Sequence, residues 1–564
     1  MIGSRMNTKN PVIGYVLMLA AIVLFCYSVA STTVLWVEPT DLGLGSRLPV
    51  AYWVGLAATC VLWYVGRGKR FYLIVALILT ASYLYVAPAI IRAPPWISNS
   101  YYPYGEALLI NETGHLVDRA SRTLVSYLDW PIFLYFASSL KLVTGLPDAF
   151  IIKFFPLFAI ASYVLFATLI LRTKMRFSYA IFGGAWLLGS FFIRQHYFGP
   201  QGFAYVHFLM SLLIASWLFF TDSHHKNTLT ALLLFLLVVT TLTHPLTSLM
   251  LMIVMFAAYF TCKLITKKST TLIFTLCLIA AVLWLGYNAY FASGFFDETA
   301  RSLANVLSGE RGLGIYAEPS RLIGSTAMLY NFVGSWSIVV AGSAIAGLSA
   351  LRILNRARVK RRNSDLDYPV FISLLLLMLA IFSFSVEYGE VEAYQRAFMF
   401  GLVPLSYLCV DLLAKKERLL VVFLVAVVFL NIPAQYGSDT YRLATDTTLE
   451  GAAFFAEHSP QSMSLIARFT LYIRYYDPLK QTVVPSLGIR FPYTSLPNSS
   501  SVNRAFLEAL KETDYVVLSG LEENFYLFYL GSNPLERINF DDRCNRVYDN
   551  SRYWVFKPAN ATSP

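Results

Sequence analysis

Residues 94–156, PPWISNSYYPYGEALLINETGHLVDRASRTLVSYLDWPIFLYFASSLKLVTGLPDAFIIKFFP, separate two groups of strongly apolar segments and decide how the chain is organised. The first half of this stretch is polar and carries four carboxylates, Glu106, Glu112, Asp118 and Asp129. The second half contains an apolar segment at 130–145, whose length predicts a helix lying at the membrane surface. A carboxylate in this position can meet a water-soluble molecule from one side and a lipid-linked molecule from the other.

The composition of the whole chain is that of an integral membrane protein. Of its 564 residues, 57% are hydrophobic and only 14% are charged, which is far more apolar than an ordinary soluble protein. The formal net charge is +11. The basic residues fall in short clusters between apolar segments, a pattern typical of cytoplasmic loops, so no nucleic-acid partner is expected. Five of the six cysteines lie in apolar segments, and no disulfide framework is predicted.

Apolar runs of about 20 residues are needed to cross the hydrocarbon core. Scanning for them predicts about thirteen spans, the first of which we expect to be retained as a membrane helix. The predicted spans are 12–36, 50–66, 71–92, 149–171, 177–194, 203–221, 228–243, 246–262, 271–293, 330–351, 369–386, 397–414 and 419–435.

The distribution of basic residues predicts the orientation. Placing the N-terminus inside puts every dense basic cluster on the cytoplasmic side, and the C-terminus then lies outside. The loops at 93–148 and 294–329 are also predicted outside. The cytoplasmic clusters are Arg67, Lys69 and Arg70; Arg172, Lys174 and Arg176; Lys263, Lys267 and Lys268; Arg356, Arg358, Lys360, Arg361 and Arg362; and Lys415, Lys416 and Arg418.

The last part of the chain changes character after about residue 435. A short helix is predicted in EGAAFFAEHSP, buried strands in SLIARF and DYVVLSG, and a hairpin turning near Asn550 in NRVYDNSRYWVF. We therefore predict a mainly α protein: a polytopic membrane helix bundle over 1–435 and a small extracytoplasmic α/β domain over 436–564.

A second set of polar residues lies at the predicted outer ends of the spans, on the same side as the first outer loop. The spans themselves carry few ionisable residues near their centres, where such groups usually mark an ion pathway. The chemistry is therefore expected at the membrane surface. This set comprises Arg194, His196 and Gln201 in IRQHYFGPQGF, His244 in LTHPLTS, and Arg396 in VEYGEVEAYQRAF.

Several of these motifs, taken in order, resemble one family. ETGHL, WPIFLYFASSLKLVTGL and IIKFFP, followed by HYFGPQGF, THPLTS, YQRAF and NRVYDNSRYWVFK, are similar to archaeal multi-span proteins of the GT-C glycosyltransferase superfamily. That superfamily includes oligosaccharyltransferases, protein O-mannosyltransferases and aminoarabinose transferases. The resemblance extends from about residue 93 to the end, and its ordered set of motifs is more specific than any single motif.

The resemblance implies transfer of a sugar from a polyprenyl-phosphate-linked donor to a glycan, lipid or protein acceptor on the outer face, with inversion expected. It implies a carboxylate of the first outer loop as base, for which Glu106 and Asp129 are the candidates. It also implies groups that hold the donor phosphate. Arg396 is the first candidate because Arg binds phosphate bidentately, followed by His196, His244, Arg194 and Gln201. A divalent metal is possible, but no fixed ligand spacing is present.

The sequence departs from this pattern at one position. The family usually has an Asp about a dozen residues before the counterpart of Glu112, where this chain has Ser98-Asn99-Ser100. An asparagine cannot accept a proton at neutral pH, and the nearest substitute is Glu106, seven residues later. Each carboxylate also has a simpler interpretation: Glu106 as a solvated loop residue and Asp129 as a cap on the following helix.

Three other functions remain open. A polymerase or ligase of lipid-linked glycans would differ mainly in its acceptor. A non-catalytic relative that binds a glycan or a partner protein would account for Asn99. A transporter is less favoured, because it would predict internal repeats and ionisable groups at the midplane.

Overall fold

The computed structural model describes residues 11–38, 41–92, 98–116, 127–220, 225–261, 263, 271–297, 325–360, 392–439, 444–466, 471–477, 481–483, 506–530, 533, 536 and 543–559. It confirms a mainly helical fold with a small C-terminal group of strands. Twelve of the thirteen predicted spans overlap described helices; the remaining one, 369–386, lies outside the described residues.

The first part of the chain forms fifteen described helices, several of them joined by turns of only a few residues. Helices α3 and α4 continue through a π-helical segment, Ser82–Val86. The helices are α1 (Pro11–Ser31), α2 (Val50–Gly66), α3 (Arg70–Ala81), α4 (Ala87–Ile91), α5 (Tyr101–Thr113), α6 (Ile132–Thr144), α7 (Asp148–Arg172), α8 (Phe177–Ser190), α9 (Pro200–Phe220), α10 (Lys226–Thr241), α11 (Pro245–Thr261), α12 (Thr271–Tyr290), α13 (Thr326–Lys360), α14 (Glu392–Leu413) and α15 (Glu417–Tyr436).

These helices have the length and surface of membrane helices. Among the described residues, seven helical segments of 19 to 28 residues are apolar enough to cross a bilayer. Large apolar side chains such as Val12, Phe158 and Leu165 are exposed on them, while the opposite faces pack into a core between helices. Helix α8 lies inside this core, against α7, α14 and α15. The chain is therefore a multi-pass membrane protein.

The polar first half of the stretch at 94–156 forms a helix in its described part, α5. Gly114 ends this helix at φ 73°, and its N–H donates to the carbonyl of Ile110 over 2.9 Å. Gly145 ends the surface segment α6 in the same way, at φ 63°. Both positions need the left-handed conformation that glycine adopts without a steric penalty. The two helices pack side by side, and Ser138 of α6 hydrogen-bonds Asn111 of α5.

The C-terminal part contains a five-stranded mixed sheet with the order β2-β1-β3-β5-β4. Strand β1 pairs in parallel with β2 and β3, whereas β5 pairs antiparallel with β3 and β4. The strands are β1 (Ser462–Ile466), β2 (Gln481–Val483), β3 (Tyr515–Ser519), β4 (Cys544–Asp549) and β5 (Tyr553–Pro558), and the helices are α16 (Asp446–His458), α17 (Leu471–Tyr476) and α18 (Gly520–Leu530). The short helix, the two buried strands and the hairpin expected from the sequence all occur.

Candidate functional site

Glu106 lies on α5 and is buried, with 1% of its surface exposed. The interpretation of this residue as a solvated loop carboxylate is therefore wrong. A helix carries it because the segment Tyr101–Thr113 contains no residue that breaks a helix after its first turn; Pro103 falls in that turn, where proline is tolerated. Asn99 lies in the 3₁₀ turn just before α5. Seven residues separate Asn99 from Glu106, which corresponds to about two helical turns, or about 10 Å.

Tyr127 lies near enough to Glu106 and Arg396 for both charges to influence it. It belongs to the 3₁₀ turn Tyr127–Asp129, and its ring lies 5.5 Å from that of Tyr102. Burial raises the pKa of Tyr127 well above its ordinary value; the charge of Arg396 lowers this pKa, and the charge of Glu106 raises it further. Both charges therefore act on the same phenol. Nothing in the sequence distinguishes Tyr127 from the other tyrosines of this region.

His244 adjoins this group from the turn between α10 and α11. Burial and the positive charge of Arg396 lower the pKa of His244 to about 3, so the imidazole is neutral at pH 7. The Thr247 backbone N–H donates to its Nδ1 over 3.3 Å. The proton of the neutral ring is therefore on Nε2, which makes His244 a hydrogen-bond donor beside Arg396. We call Glu106, Tyr127, His244 and Arg396 the polar quartet.

Asp129 follows Tyr127 in the same turn and is half-buried. Its backbone carbonyl accepts a hydrogen bond from the Tyr287 hydroxyl over 2.7 Å, which fastens the turn to the end of α12. Helix α6 begins after Pro131 and receives no side-chain cap at that position. The capping role and the role as a base that the sequence suggests for Asp129 both stay predictions.

Arg194 and His196 lie in a second polar group, which also contains Arg92 and Asp439. The Arg92 guanidinium pairs with Asp439, and Arg194 Nη1 lies 3.4 Å from the other oxygen of the same carboxylate. Arg92 and Asp439 are fully buried, and Arg194 is 6% exposed. We call Arg92, Arg194 and Asp439 the ionic node.

The ionic node joins three parts of the chain. Arg92 follows α4 directly, Arg194 lies between α8 and α9, and Asp439 follows α15 where the chain leaves the bundle. Arg194 has φ 59°, an uncommon backbone conformation for a residue other than glycine. Because these segments are far apart in sequence, the node fixes their relative positions on one end of the bundle.

His196 is fully buried next to the ionic node. Burial, together with the charges of Arg194 and Arg92, lowers its pKa to about 3. Its Nε2 accepts from the Gln435 amide over 3.3 Å, and its ring lies edge-on to Tyr85 at 5.2 Å. Gln201 is also buried, at the start of α9. Among the described residues the Gln201 amide nitrogen has no hydrogen-bond partner. The phosphate-binding roles expected for Arg194, His196 and Gln201 stay predictions.

The described residues do not suit a metal ion. Within the ranges given above, no three His, Cys, Asp or Glu side chains lie together in a way that could hold one. Asp118 and the segment 298–324 lie outside the described residues.

Solved structures with the same architecture are known. The archaeal oligosaccharyltransferase AglB from Archaeoglobus fulgidus, in complex with an inhibitory peptide and a dolichol-phosphate, superimposes with a TM-score of 0.52 and 13% identity, over 87% of this chain and 74% of that one. The apo oligosaccharyltransferase of Archaeoglobus fulgidus superimposes with a TM-score of 0.51 and 11% sequence identity, over 88% of this chain and 76% of that one. ArnT from Cupriavidus metallidurans in the apo state has a TM-score of 0.47 and 13% identity, over 86% of this chain and 97% of that one.

No protein-family model and no curated protein sequence matches the chain. The similarity is therefore found in the structures and not in the sequences, and at this sequence identity it shows only that the fold is shared. It agrees with the ordered motifs found in the sequence. The chain has the fold of the GT-C glycosyltransferases.

Proposed function

We propose that this protein is a membrane glycosyltransferase that moves a sugar from a polyprenyl-phosphate-linked donor to an acceptor on the outer face of the membrane. The observation that carries this proposal is the polar quartet, in which a buried carboxylate and a guanidinium act on one phenol at the end of a GT-C fold. The structural relative AglB was solved with a dolichol-phosphate, which supports a polyprenyl phosphate as the lipid carrier.

In the proposed reaction, Glu106 accepts the proton of the acceptor nucleophile. As the nucleophile bonds to the anomeric carbon, the bond from that carbon to the phosphate oxygen breaks. The electron pair leaves with the polyprenyl phosphate, and the configuration at carbon is inverted. General-base assistance of this kind contributes about 10²- to 10⁴-fold to the rate.

The leaving phosphate gains negative charge, which cationic and hydrogen-bonding groups must stabilise. Arg396 supplies a permanent positive charge and two parallel N–H donors. His244, neutral and protonated on Nε2, supplies a further donor without adding charge. Tyr127 keeps its proton because its pKa is raised, so it is a donor as well. The ionic node is proposed to hold the surrounding loops, with Arg194, His196 and Gln201 as further phosphate contacts.

The first experiment compares Glu106→Gln with wild type for release of polyprenyl phosphate from a panel of lipid-linked sugars. Glu112→Gln is the matched control, because Glu112 is on the same helix but exposed. We expect Glu106→Gln to lose about 10²-fold or more of kcat and Glu112→Gln to lose less than twofold. Full activity of Glu106→Gln would remove this residue as the base and direct the search to Asp129.

A second outcome bears on Asn99, which stands where the family has an aspartate. If wild type binds a polyprenyl-phosphate donor saturably and releases no lipid phosphate with any sugar, the protein is a non-catalytic relative. Turnover with oligosaccharide acceptors alone would instead identify a polymerase or ligase of lipid-linked glycans.

Donor binding is tested with Arg396→Gln. Loss of a charged phosphate contact should raise the donor Kd about tenfold or more, since hydrogen bonds to charged groups contribute about 1.5–3 kcal/mol. Arg418→Gln is the control, because Arg418 is exposed at the start of α15. An unchanged donor Kd in Arg396→Gln would exclude Arg396 from the phosphate site.

We further propose that the N-terminus is cytoplasmic and that the polar quartet and the C-terminal domain, 436–564, are extracytoplasmic. Cysteines introduced one at a time at His115 and Lys415, both exposed, test this in intact cells after the six native cysteines are replaced by alanine. A membrane-impermeant thiol reagent should label His115→Cys from outside and leave Lys415→Cys unlabelled. The reverse pattern would place the site in the cytoplasm.

A further inference from the structure

Four tyrosines join the helix that carries Glu106 to the C-terminal part of the chain. The ring of Tyr101 lies 5.2 Å from that of Tyr472 and 5.3 Å from that of Tyr475, edge-on in both cases. Tyr104 stacks on Tyr475 with the ring centroids 6.3 Å apart. We call Tyr101, Tyr104, Tyr472 and Tyr475 the tyrosine clasp. It joins α5 to α17 across more than 360 residues of sequence.

A carboxylate at the start of α7 fastens the clasp. Asp148 accepts a hydrogen bond from the Tyr104 hydroxyl over 2.9 Å and pairs with Lys141 at 2.5 Å. Burial raises the pKa of Tyr475, and the nearby Asp148 carboxylate raises it further. The clasp is thus anchored on both sides: on the membrane bundle through Asp148, and on the C-terminal domain through α17, which packs against α16.

The clasp acts on the helix that holds the proposed base. Tyr104 precedes Glu106 by two residues, and Tyr101 precedes it by five, all within the 13 residues of α5. An isolated helix of this length is only marginally stable in water, so tertiary contacts determine its position. The opposite side of Tyr104 packs on Phe198, 5.2 Å away, in the same loop as His196.

We propose that the C-terminal domain sets the position of Glu106 through the tyrosine clasp, so that Tyr475 and its neighbours are positioning residues for the transfer step. This inference rests on the proposed function. In this proposal, α17 holds α5 in position relative to the phosphate-binding residues, so that the base and the leaving group stay aligned.

The test uses the full chain with Tyr475→Ala, which removes the ring contacts to Tyr101 and Tyr104, and Tyr475→Phe, which removes only the hydroxyl. Tyr548→Ala is the matched control, because Tyr548 stacks on Phe454 within the C-terminal domain, 4.2 Å away. Two quantities are measured: amide hydrogen exchange of the segment 101–113, and kcat and KM for the lipid-linked donor.

For Tyr475→Ala we expect exchange in 101–113 to rise about tenfold or more and kcat to fall about tenfold, with donor KM within threefold of wild type. Tyr475→Phe should show smaller changes in the same direction, and Tyr548→Ala should match wild type in both. If Tyr475→Ala unfolds the whole protein, exchange will also be faster in α8. In that case the milder variant, Tyr475→Phe, decides whether the effect on 101–113 is specific.

Unchanged exchange in 101–113 for both Tyr475 variants would overturn the proposal. Equal exchange effects from Tyr548→Ala would also overturn it, because the effect would then belong to the domain as a whole. If wild type has no transferase activity, the exchange rate of 101–113 still shows whether the tyrosine clasp holds α5 in place. The experiment therefore tests the clasp separately from the proposed function.

Discussion

Replacing Asp439 with asparagine tests the ionic node directly. The substitution keeps the shape of the side chain and removes the one charge that Arg92 and Arg194 share in the pairs described above. All three side chains are at least nine-tenths buried. Removing one partner of a buried ion pair costs about 3–5 kcal/mol, because the remaining charge stays buried without compensation. Asp439 faces two guanidiniums, so we expect at least the lower end of this range.

After Cys26, Cys262 and Cys544 are replaced by alanine, the loss can be followed through the buried thiols of Cys60, Cys277 and Cys409, which we expect to react with a fluorogenic reagent when the bundle opens. At about 1.4 kcal/mol per factor of ten, 3 kcal/mol corresponds to roughly 10²-fold faster labelling. The control is Asp446→Asn, an exposed residue in the first turn of α16, whose interaction with the helix dipole is about 0.3–1 kcal/mol. If the labelling rate of Asp439→Asn lies within twofold of that of Asp446→Asn, the ionic node does not stabilise the bundle as described.

Two further predictions concern pH and backbone conformation. The pKa values of His196 and His244 are lowered to about 3 in the folded protein, whereas unfolded histidine titrates near 6.5. Between these pH values the unfolded state binds more protons than the folded state. The contribution of the neutral histidines to the free energy of unfolding is therefore fully present above about pH 6.5, and it falls by about 1.4 kcal/mol per pH unit for each histidine as the pH drops toward about 3. Thermal unfolding followed by circular dichroism at pH 7 and pH 5 measures this, and His196→Gln should reduce the slope by about half; an unchanged slope would contradict the assignment. Gly114→Ala should destabilise the end of α5 by about 1–2 kcal/mol, because φ is +73° at this position. Amide hydrogen exchange near residue 110 measures this effect. The control is Gly286→Ala, in open space within α12, which should change the exchange rate near residue 110 by less than twofold.

The helical bundle was predictable because apolar runs leave few alternatives in a membrane. The segment at 130–145 was expected to be a surface helix, and the structure has α6 at Ile132–Thr144. Helix ends were less accurate. The span expected at 177–194 ends as a helix at Ser190, because Phe191 leaves the helical conformation and a buried polar loop follows.

The candidate site was only partly predictable. Glu106 was singled out as the loop carboxylate nearest to the position of the family's aspartate, and His244 and Arg396 because polar residues at the ends of apolar segments are conspicuous. Their roles stay predictions. Arg92 and Asp439 also lie at such ends, yet nothing local distinguishes them from flanking charges, and they are 347 residues apart. Tyr127 was missed because tyrosines are abundant at membrane surfaces, and only the fold shows which one is near both Glu106 and Arg396.

The two ionic contacts beside the candidate site differ in their exposure to water. Lys141 and Asp148 have about 30% of their side chains exposed, and mobile ions screen such a pair over a Debye length of about 8 Å at physiological ionic strength. The ionic node is closed to water, and added salt does not reach it. The node therefore keeps its pairing in brine or in dilute buffer, while the Lys141–Asp148 pair weakens as salt rises. Ionic strength becomes a means of weakening the link between α6 and α7 without disturbing the ionic node.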